Sequence, residues 1–281
     1  MTSGPVRYVK GHGTQNDFVL LPDAEGSVEL TDRLVRALCD RRAGIGADGV
    51  LRVVQTAVAD PTMAGDALWY MDHRNADGSL AEMCGNGLRL FALFLVHSGR
   101  AEFGEQRIGT RAGVRRAVVH ADDTVSVEMG PALVGGSSVA RLGGQDYPGI
   151  LVSMGNPHLV CVTSTPVADL DLSSAPVADG SVFSSGVNVE FVNVLDDPVS
   201  GADAHVRMRV HERGVGETHA CGTGACAVAA TALAGSDGTV AVDQPGGRVL
   251  VSVDRGRTWL SGPAVIVGSG ELDPVWLRRA S

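Results

Sequence analysis

Met83-Cys84-Gly85-Asn86-Gly87-Leu88 and, far downstream, Ala220-Cys221-Gly222-Thr223-Gly224-Ala225 are two versions of one motif. In each, a cysteine is followed by Gly-X-Gly and then by a run of apolar or small residues. The first run carries Leu88, Phe91, Ala92 and Leu95; the second carries Ala225, Val228, Ala229 and Ala232. That spacing predicts a buried helix opened by each cysteine. Upstream, each motif has a Gly-Asn turn at nearly the same interval. Gly13-Thr14-Gln15-Asn16-Asp17-Phe18 puts Asn16 68 residues before Cys84, and Met154-Gly155-Asn156-Pro157-His158 puts Asn156 65 residues before Cys221. A repeat of this length implies two similar α/β domains facing each other across a cleft.

The segments between these landmarks agree. Residues 19–21, 50–54 and 67–71 read as short strands, and Thr31 caps a helix with Leu34, Val35 and Leu38 on one side, ending near Gly44. Residues 115–120 and 124–129 read as a hairpin around Asp122-Asp123. Later strands are expected at 158–162, 187–194, 205–210, 239–242 and 249–253. The boundary between halves is expected near Gly130-Pro131 or in Gly135-Gly136, giving one domain over 1–130 and another over 131–263.

Composition narrows the function classes. The 281-residue chain is 44% hydrophobic and only 20% charged, so it can fill a sizeable core. Its net charge of −9 comes without any basic tract, which argues against a nucleic-acid surface. An anionic small molecule is still admissible, because one arginine or a helix N-terminus can hold a carboxylate. Five cysteines, an odd and scattered set, argue against a disulfide framework and for a reducing cytoplasm. Residues 1–8 lack the apolar run of a signal peptide, and the apolar stretch after Leu88 is too short to cross a membrane.

Cys84 and Cys221 are the chemical candidates. A cysteine at a helix start lies near unpaired N–H groups and the positive dipole end, which favour thiolate. The glycines beside it let the backbone reach a ligand, and the exposed N–H groups of both turns can receive carboxylate oxygens. Two cysteines on opposite faces of one carbon suit inversion: one thiolate removes a proton and the opposite thiol returns one. Cys39, Cys161 and Cys226 read as core. A metal held by His219, Cys221 and Cys226 has the wrong spacing for a convincing zinc site. Asn16 and Asn156 are turn residues or ligand contacts, and their matched placement favours contact. His158 either orients a proton-transfer group or ends a strand. Asn188 is unexpected in a strand, which marks it as functional. Glu212 and Arg213 are either a solvated pair or the recognition groups for an ammonium and a carboxylate. Glu217 is an orienting group or a surface charge.

At these residues the sequence resembles diaminopimelate epimerases over essentially its full length, and their actinobacterial branch in particular. The matching blocks are Asn16-Asp17-Phe18, Asn75-Ala76-Asp77-Gly78-Ser79, Glu82 to Gly87, Gly155-Asn156-Pro157-His158, Asn188-Val189-Glu190-Phe191, Glu212-Arg213-Gly214 and Cys221 to Cys226. The resemblance implies two pseudo-symmetric domains, each a β-barrel-like sheet wrapped around a central helix. Residues 264–281 would return to complete the first, and the active site would lie in the interdomain cleft. It implies interconversion of LL- and meso-diaminopimelate, a diamino dicarboxylate, with no cofactor or metal, in a homodimer. By position, Cys84 and Cys221 match the acid–base pair, with His158 and Glu212 tuning it. Gly85, Asn86, Gly222 and Thr223 match the carboxylate cradle at the reacting carbon, and Asn16 lines that end. Asn75, Asn156, Asn188 and Arg213 match the distal carboxylate site, and Glu212 the distal amine.

The pattern also departs from the family. Thr14-Gln15 stands where many members have Leu-Gly, and Gly49 follows Asp48 where many have Gln, with Gln15 a candidate to compensate. Leu88-Arg89-Leu90 replaces a more usual Ala-Arg-Cys. The competing reading is a cysteine-pair racemase acting on another amino acid such as proline, which would leave the distal polar set unpaired. A binding or redox protein without turnover is the reading from another class. It predicts ligand affinity with no solvent proton entering the ligand.

Overall fold

The computed structural model describes residues 5–281. Residues 1–4, part of the 1–8 stretch read above for a signal peptide, lie outside the described residues. Two compact units emerge: one runs to Val127 and includes Pro263–Ser281, and the other is Glu128–Gly262. In chain order the first unit holds β1 (Arg7–Gly13), β2 (Asn16–Pro22), α1 (Asp32–Cys39), β3 (Gly49–Gln55), α2 (Thr56–Ala59), β4 (Trp69–Asn75), α3 (Gly85–His97), β5 (Gly104–Thr110), β6 (Gly113–Val119) and the start of β7 (Thr124–Pro131). The second holds β8 (Leu133–Leu142), β9 (Gln145–Ser153), β10 (Pro157–Val162), β11 (Val177–Ala178), β12 (Asn188–Leu195), β13 (Ala204–Glu212), β14 (Gly216–Thr218), α4 (Gly222–Ala232), β15 (Gly238–Gln244), β16 (Gly247–Asp254) and β17 (Arg257–Pro263). The chain then returns to the first unit as β18 (Val265–Glu271) and α5 (Pro274–Ala280).

Strand pairing repeats between the units. In the first, β18–β1 and β1–β2 are antiparallel, β2–β3 parallel, β3–β4 antiparallel, β4–β5 parallel, and β5–β6 and β6–β7 antiparallel. In the second, β8–β9 and β9–β10 are antiparallel, β10–β12 parallel, β12–β13 antiparallel, β13–β15 parallel, and β15–β16 and β16–β17 antiparallel. In each unit the second parallel crossover, into the sixth strand of that order, carries the cysteine helix, α3 or α4. A fold of two α/β halves follows from this shared order.

The helices are placed by burial. Residues 85–95 of α3 are all buried, and α4 is buried at Gly222 and from Gly224 to Ala230. A helix apolar all round has no solvent face and becomes the core of its unit. Within the second unit α4 packs on β8, β9, β10, β12, β13, β15 and β16. A second core in the first unit forms where Leu34, Val35 and Leu38 of α1 meet Val19, Leu21 and Val50.

Several elements differ from the expected ones. Helix α1 begins at the Thr31 cap, whose side chain accepts from Leu34 N, but stops at Cys39 and not near Gly44. The Asp40 carboxylate accepts from the N–H groups of Arg42 and Ala43 and turns the chain there. Strand β4 starts at Trp69, two residues later than the pattern suggested. Strands β1 and β18 were hidden by Gly11, Gly13, Gly268 and Gly270, and β8 by Gly135-Gly136 at a shift in its register with β9. No helix of the described residues is long and apolar enough to cross a membrane.

Candidate functional site

In the first unit the β1–β2 turn carries the site. Thr14 and Gln15 both adopt positive φ, 49° and 63°, joining Gly13 to Asn16 in a two-residue hairpin. A β-branched residue in that region is strained, and Thr14 is held there by Arg89 Nη2, which donates to its Oγ1 at 3.0 Å. Cys84 caps α3 and lies behind the turn, its Sγ 3.6 Å from Asn16 Oδ1.

Two charges set the direction of these bonds. Asp48 Oδ2 accepts from Asn16 Nδ2 at 2.8 Å, so Asn16 turns its oxygen away from Asp48 and toward Cys84. Arg89, fully buried, donates to Asn86 Oδ1 at 2.7 Å, which leaves Asn86 Nδ2 to donate to Asn16 Oδ1 at 3.3 Å. Both anchors agree on one amide orientation, and it offers Cys84 an acceptor for its S–H. Asp48 also accepts from Arg41 at 2.8 Å. For neighbouring Asp17, burial acts to raise the carboxyl, but hydrogen bonds from Arg41 and Lys10 hold it well below the usual carboxylate range.

The second unit assembles a charged site. His158, with no exposed surface, has Nδ1 2.6 Å from Glu190 Oε1 and Nε2 3.1 Å from Asn156 Oδ1. The parallel register His158↔Asn188 and Val160↔Glu190 brings these residues together. Asn188 Oδ1 accepts from Arg213 N at 2.9 Å, pinning the β13–β14 turn, and Arg213 is exposed there with Nη1 donating to Ser185 O at 3.2 Å. Glu212 accepts from Thr218 Oγ1. Burial raises the Glu212 carboxyl, the nearby Glu190 adds to the rise, and hydrogen bonds from Thr218 and Cys221 oppose it.

Cys221 caps α4, its sulfur 3.4 Å from Gly224 N and 3.5 Å from Thr223 Oγ1, while its own N–H donates to Gln244 Oε1 at 2.8 Å. The helix start was expected to favour its thiolate. Instead burial, followed by the charges of Glu212 and Glu190, pushes the thiol well above its ordinary value, outweighing the bonds from Thr223 and Gly224. Cys39 and Cys161, pushed up to about 12 chiefly by burial, have the inert character expected of core thiols. None of the five cysteines is in a disulfide.

The expected residues thus fall into local groups: Asn16, Cys84 and Asn86; Asn156 and His158; Asn188 and Arg213; Glu212, Cys221 and Thr223. Gly85 and Gly222 are the first residues of α3 and α4. Asn75 bonds within its own turn, donating to Ser79 Oγ at 3.0 Å. Glu217 pairs with Arg209 at 2.7 Å and so braces the β13–β14 hairpin. Gln15 sits exposed at the hairpin tip, and Gly49 has no room for a side chain, since a Cβ there would lie 2.7 Å from Arg74 O and 3.2 Å from His73 Nε2. Sequence reasoning gave no role to Glu190, Asp48 or Thr218. For Glu190 a signal existed: it is a charge inside the apolar run of residues 187–194, the same anomaly that singled out Asn188. No three His, Cys, Asp or Glu groups among the described residues are arranged to hold a metal ion.

Comparison with known sequences identifies the family. The family model described as diaminopimelate epimerase matches residues 8–134 and 150–271. A diaminopimelate epimerase of Thermobifida fusca is 47% identical over 274 residues, covering 95% of this chain and 98% of the relative. One of Mycolicibacterium smegmatis is 49% identical over 291 residues, at 96% and 97% coverage, and one of Corynebacterium glutamicum 48% over 278 residues, at 95% and 98%. Among solved structures, a PhzF-family phenazine biosynthesis protein of Bacillus anthracis superposes with a TM-score of 0.70 at 17% identity, covering 96% of this chain and 99% of that one. A probable proline racemase of Agrobacterium radiobacter does so at 0.66 and 17%, covering 97% and 95%. At such identity these two speak for the fold alone.

Proposed function

The chain belongs to the diaminopimelate epimerase family, and from that premise we propose that it interconverts LL- and meso-diaminopimelate by proton transfer between a cysteine pair. The reading rests above all on relatives 47–49% identical across at least 95% of the chain. The duplicated cysteine caps of α3 and α4 accord with it. Cys84 and Cys221 address opposite faces of the α-carbon, in a cleft between two halves spanning 1–130 with 264–281, and 131–263. In each half a barrel-like sheet closes around the cysteine helix.

Inversion needs one base and one acid at once. A thiolate takes the α-proton, the electron pair is held at the carbon beside its carboxylate, and the opposite thiol returns a proton to the other face. N–H groups of Gly85, Asn86, Gly222 and Thr223 stabilise the charge building on that carboxylate. Asn16 lines this end. Because burial and acidic neighbours hold Cys221 as a thiol, Glu212 serves as the acceptor that frees its sulfur, with His158 supplying positive charge nearby. Asn75, Asn156, Asn188 and Arg213 hold the distal carboxylate, and Glu212 also orients the distal amine. Every step uses groups of the protein itself, with no cofactor. The enzyme works as a homodimer in the reducing cytoplasm, where paired reactive thiols stay reduced.

The test is substrate choice. Purified, reduced protein is incubated with LL-diaminopimelate or with L-proline, and products are resolved by chiral chromatography. Meso-diaminopimelate from the first and unchanged proline from the second are expected. Racemised proline without meso-diaminopimelate overturns the assignment.

A further inference from the structure

Two buried positions differ in kind between the otherwise matching units. The parallel pair Phe18↔Gly49 in the first corresponds to His158↔Asn188 in the second, and Leu51 stands two residues beyond Gly49 as Glu190 does beyond Asn188. The third residue after each catalytic cysteine fixes the same equivalence. A Cβ on Gly87 would meet Leu51 Cδ1 and Phe18 Cζ, each at 3.4 Å, whereas one on Gly224 would meet Glu190 Oε1 at 2.8 Å. Phe18 and Leu51 are 2% and 0% exposed, and His158 and Glu190 are both 0% exposed. The first unit fills this place with hydrocarbon, so the fold does not require an ionisable pair there.

The pair's own geometry indicates its charge. Glu190 Oε1 lies 2.6 Å from His158 Nδ1, and Glu190 Oε2 is buried without a hydrogen-bond partner. An ionised carboxylate so placed is costly unless an opposite charge neutralises it. The second ring nitrogen, Nε2, faces the Asn156 oxygen at 3.1 Å. With Glu190 ionised, the ring bonds to both that carboxylate and the Asn156 oxygen by donating from both nitrogens, as the imidazolium does.

We propose that Glu190 is a positioning residue that keeps His158 doubly protonated, giving the second unit a fixed, buried cation close to Glu212. The titratable groups around it are Glu190 on β12, Glu212 on β13, Cys221 at the head of α4 and Cys161 on β10. All of these carry negative charge when ionised. His158 is therefore the counter-charge available when Cys221 gives up its proton. That consequence rests on the proposed role of Cys221; the protonation state itself does not.

Isotope-labelled nitrogen NMR of the histidine side chains tests it, with the His158 signals assigned by their loss in His158→Asn. In the wild-type protein at neutral pH both ring nitrogens should carry protons. Glu190→Gln, which keeps the shape and removes the charge, should leave one His158 ring nitrogen without its proton at the same pH. It should also lower kcat about tenfold or more, with a smaller change in KM. A single protonated ring nitrogen in the wild type at neutral pH overturns the proposal, whether or not the variant folds. Two protonated His158 ring nitrogens and an unchanged pH–rate profile in Glu190→Gln overturn it equally. The NMR result needs no turnover, so a failure to epimerise diaminopimelate would count against the functional reading alone.

Discussion

Asn16 and Asn156 occupy equivalent turns, yet one faces a cysteine and the other a histidine. In the first unit Asn16 offers its oxygen to Cys84, with neutral amides around it and the charges of Asp48 and Arg89 one bond away. In the second, Asn156 faces His158, and the cysteine lies among Glu190, Glu212, Thr223 and the Gly224 N–H. The strand order is the same in both. Duplication therefore explains why two cysteines cap two helices, but not how each is tuned. An amide oxygen faces the Cys84 thiol, whereas burial and charge adjust Cys221.

The comparison breaks most severely if the cysteines are not equally essential. Cys84→Ala and Cys221→Ala should each lower turnover at least about a thousandfold, within the range expected for loss of a general acid or base. Circular dichroism should report an intact fold. Wild-type turnover by either variant would end the two-base account.

Making the second unit resemble the first is the next test. Glu190→Leu alone should destabilise the protein by about 3–5 kcal/mol in urea unfolding, because it leaves His158 buried with its charge unpaired. The double variant His158→Phe with Glu190→Leu should recover most of that loss, since well-packed apolar residues replace a buried pair at little cost. A single variant as stable as wild type would show that no charged pair exists.

Arg213 belongs to the second unit only. Arg213→Ala should raise KM for diaminopimelate about tenfold to a hundredfold, the worth of a hydrogen bond to a charged group, with little change in kcat. Unchanged KM would remove Arg213 from the distal site. Thr218→Val should have a smaller effect. Burial raises the Glu212 carboxyl and the Thr218 hydroxyl opposes that rise, so deleting the hydroxyl raises it further. The acid limb of the pH–rate profile should move to higher pH by up to about one unit, as expected for losing roughly 1.4 kcal/mol of preference for the ionised form. A shift to lower pH would contradict the assignment of Glu212 as an ionised acceptor.

Far from the chemistry, Asp243 gives the smallest effect. Arg248 hydrogen bonding, aided by His205 and opposed by burial, lowers its carboxyl to about 2. A depressed carboxyl stabilises the fold above its unfolded pKa of about 3.9, and that contribution is lost as pH falls through about 2. Asp243→Asn should cost less than about 1 kcal/mol at neutral pH, because its main partner Arg248 is open to solvent. It should also flatten the acid limb of the stability curve.

Much of this was legible in the sequence because the decisive signals are local or repeated. Cysteine, Gly-X-Gly and a small-residue run specify a capped, buried helix, and the doubled interval from Gly-Asn turn to cysteine gives two halves. Strands rich in glycine were not legible. In β1 and β18, Gly11 and Gly270 mark close approaches, to Leu90 and Tyr8, that only the folded chain supplies. The tuning of the cysteines was also hidden. Helix-dipole reasoning favoured thiolate at Cys221, whereas burial, joined by Glu212 and Glu190 from strands 9 and 31 residues upstream, reverses the sign. Equally, Asp48 acts on Cys84 through Asn16, and no motif records that relay.

The most direct measurement is epimerisation of LL-diaminopimelate in deuterium oxide by reduced wild-type protein and by Cys84→Ala and Cys221→Ala. The account predicts meso product carrying deuterium at the inverted carbon from the wild type and no meso product from either variant. Meso product without deuterium, or its formation by a protein lacking either cysteine, would contradict it.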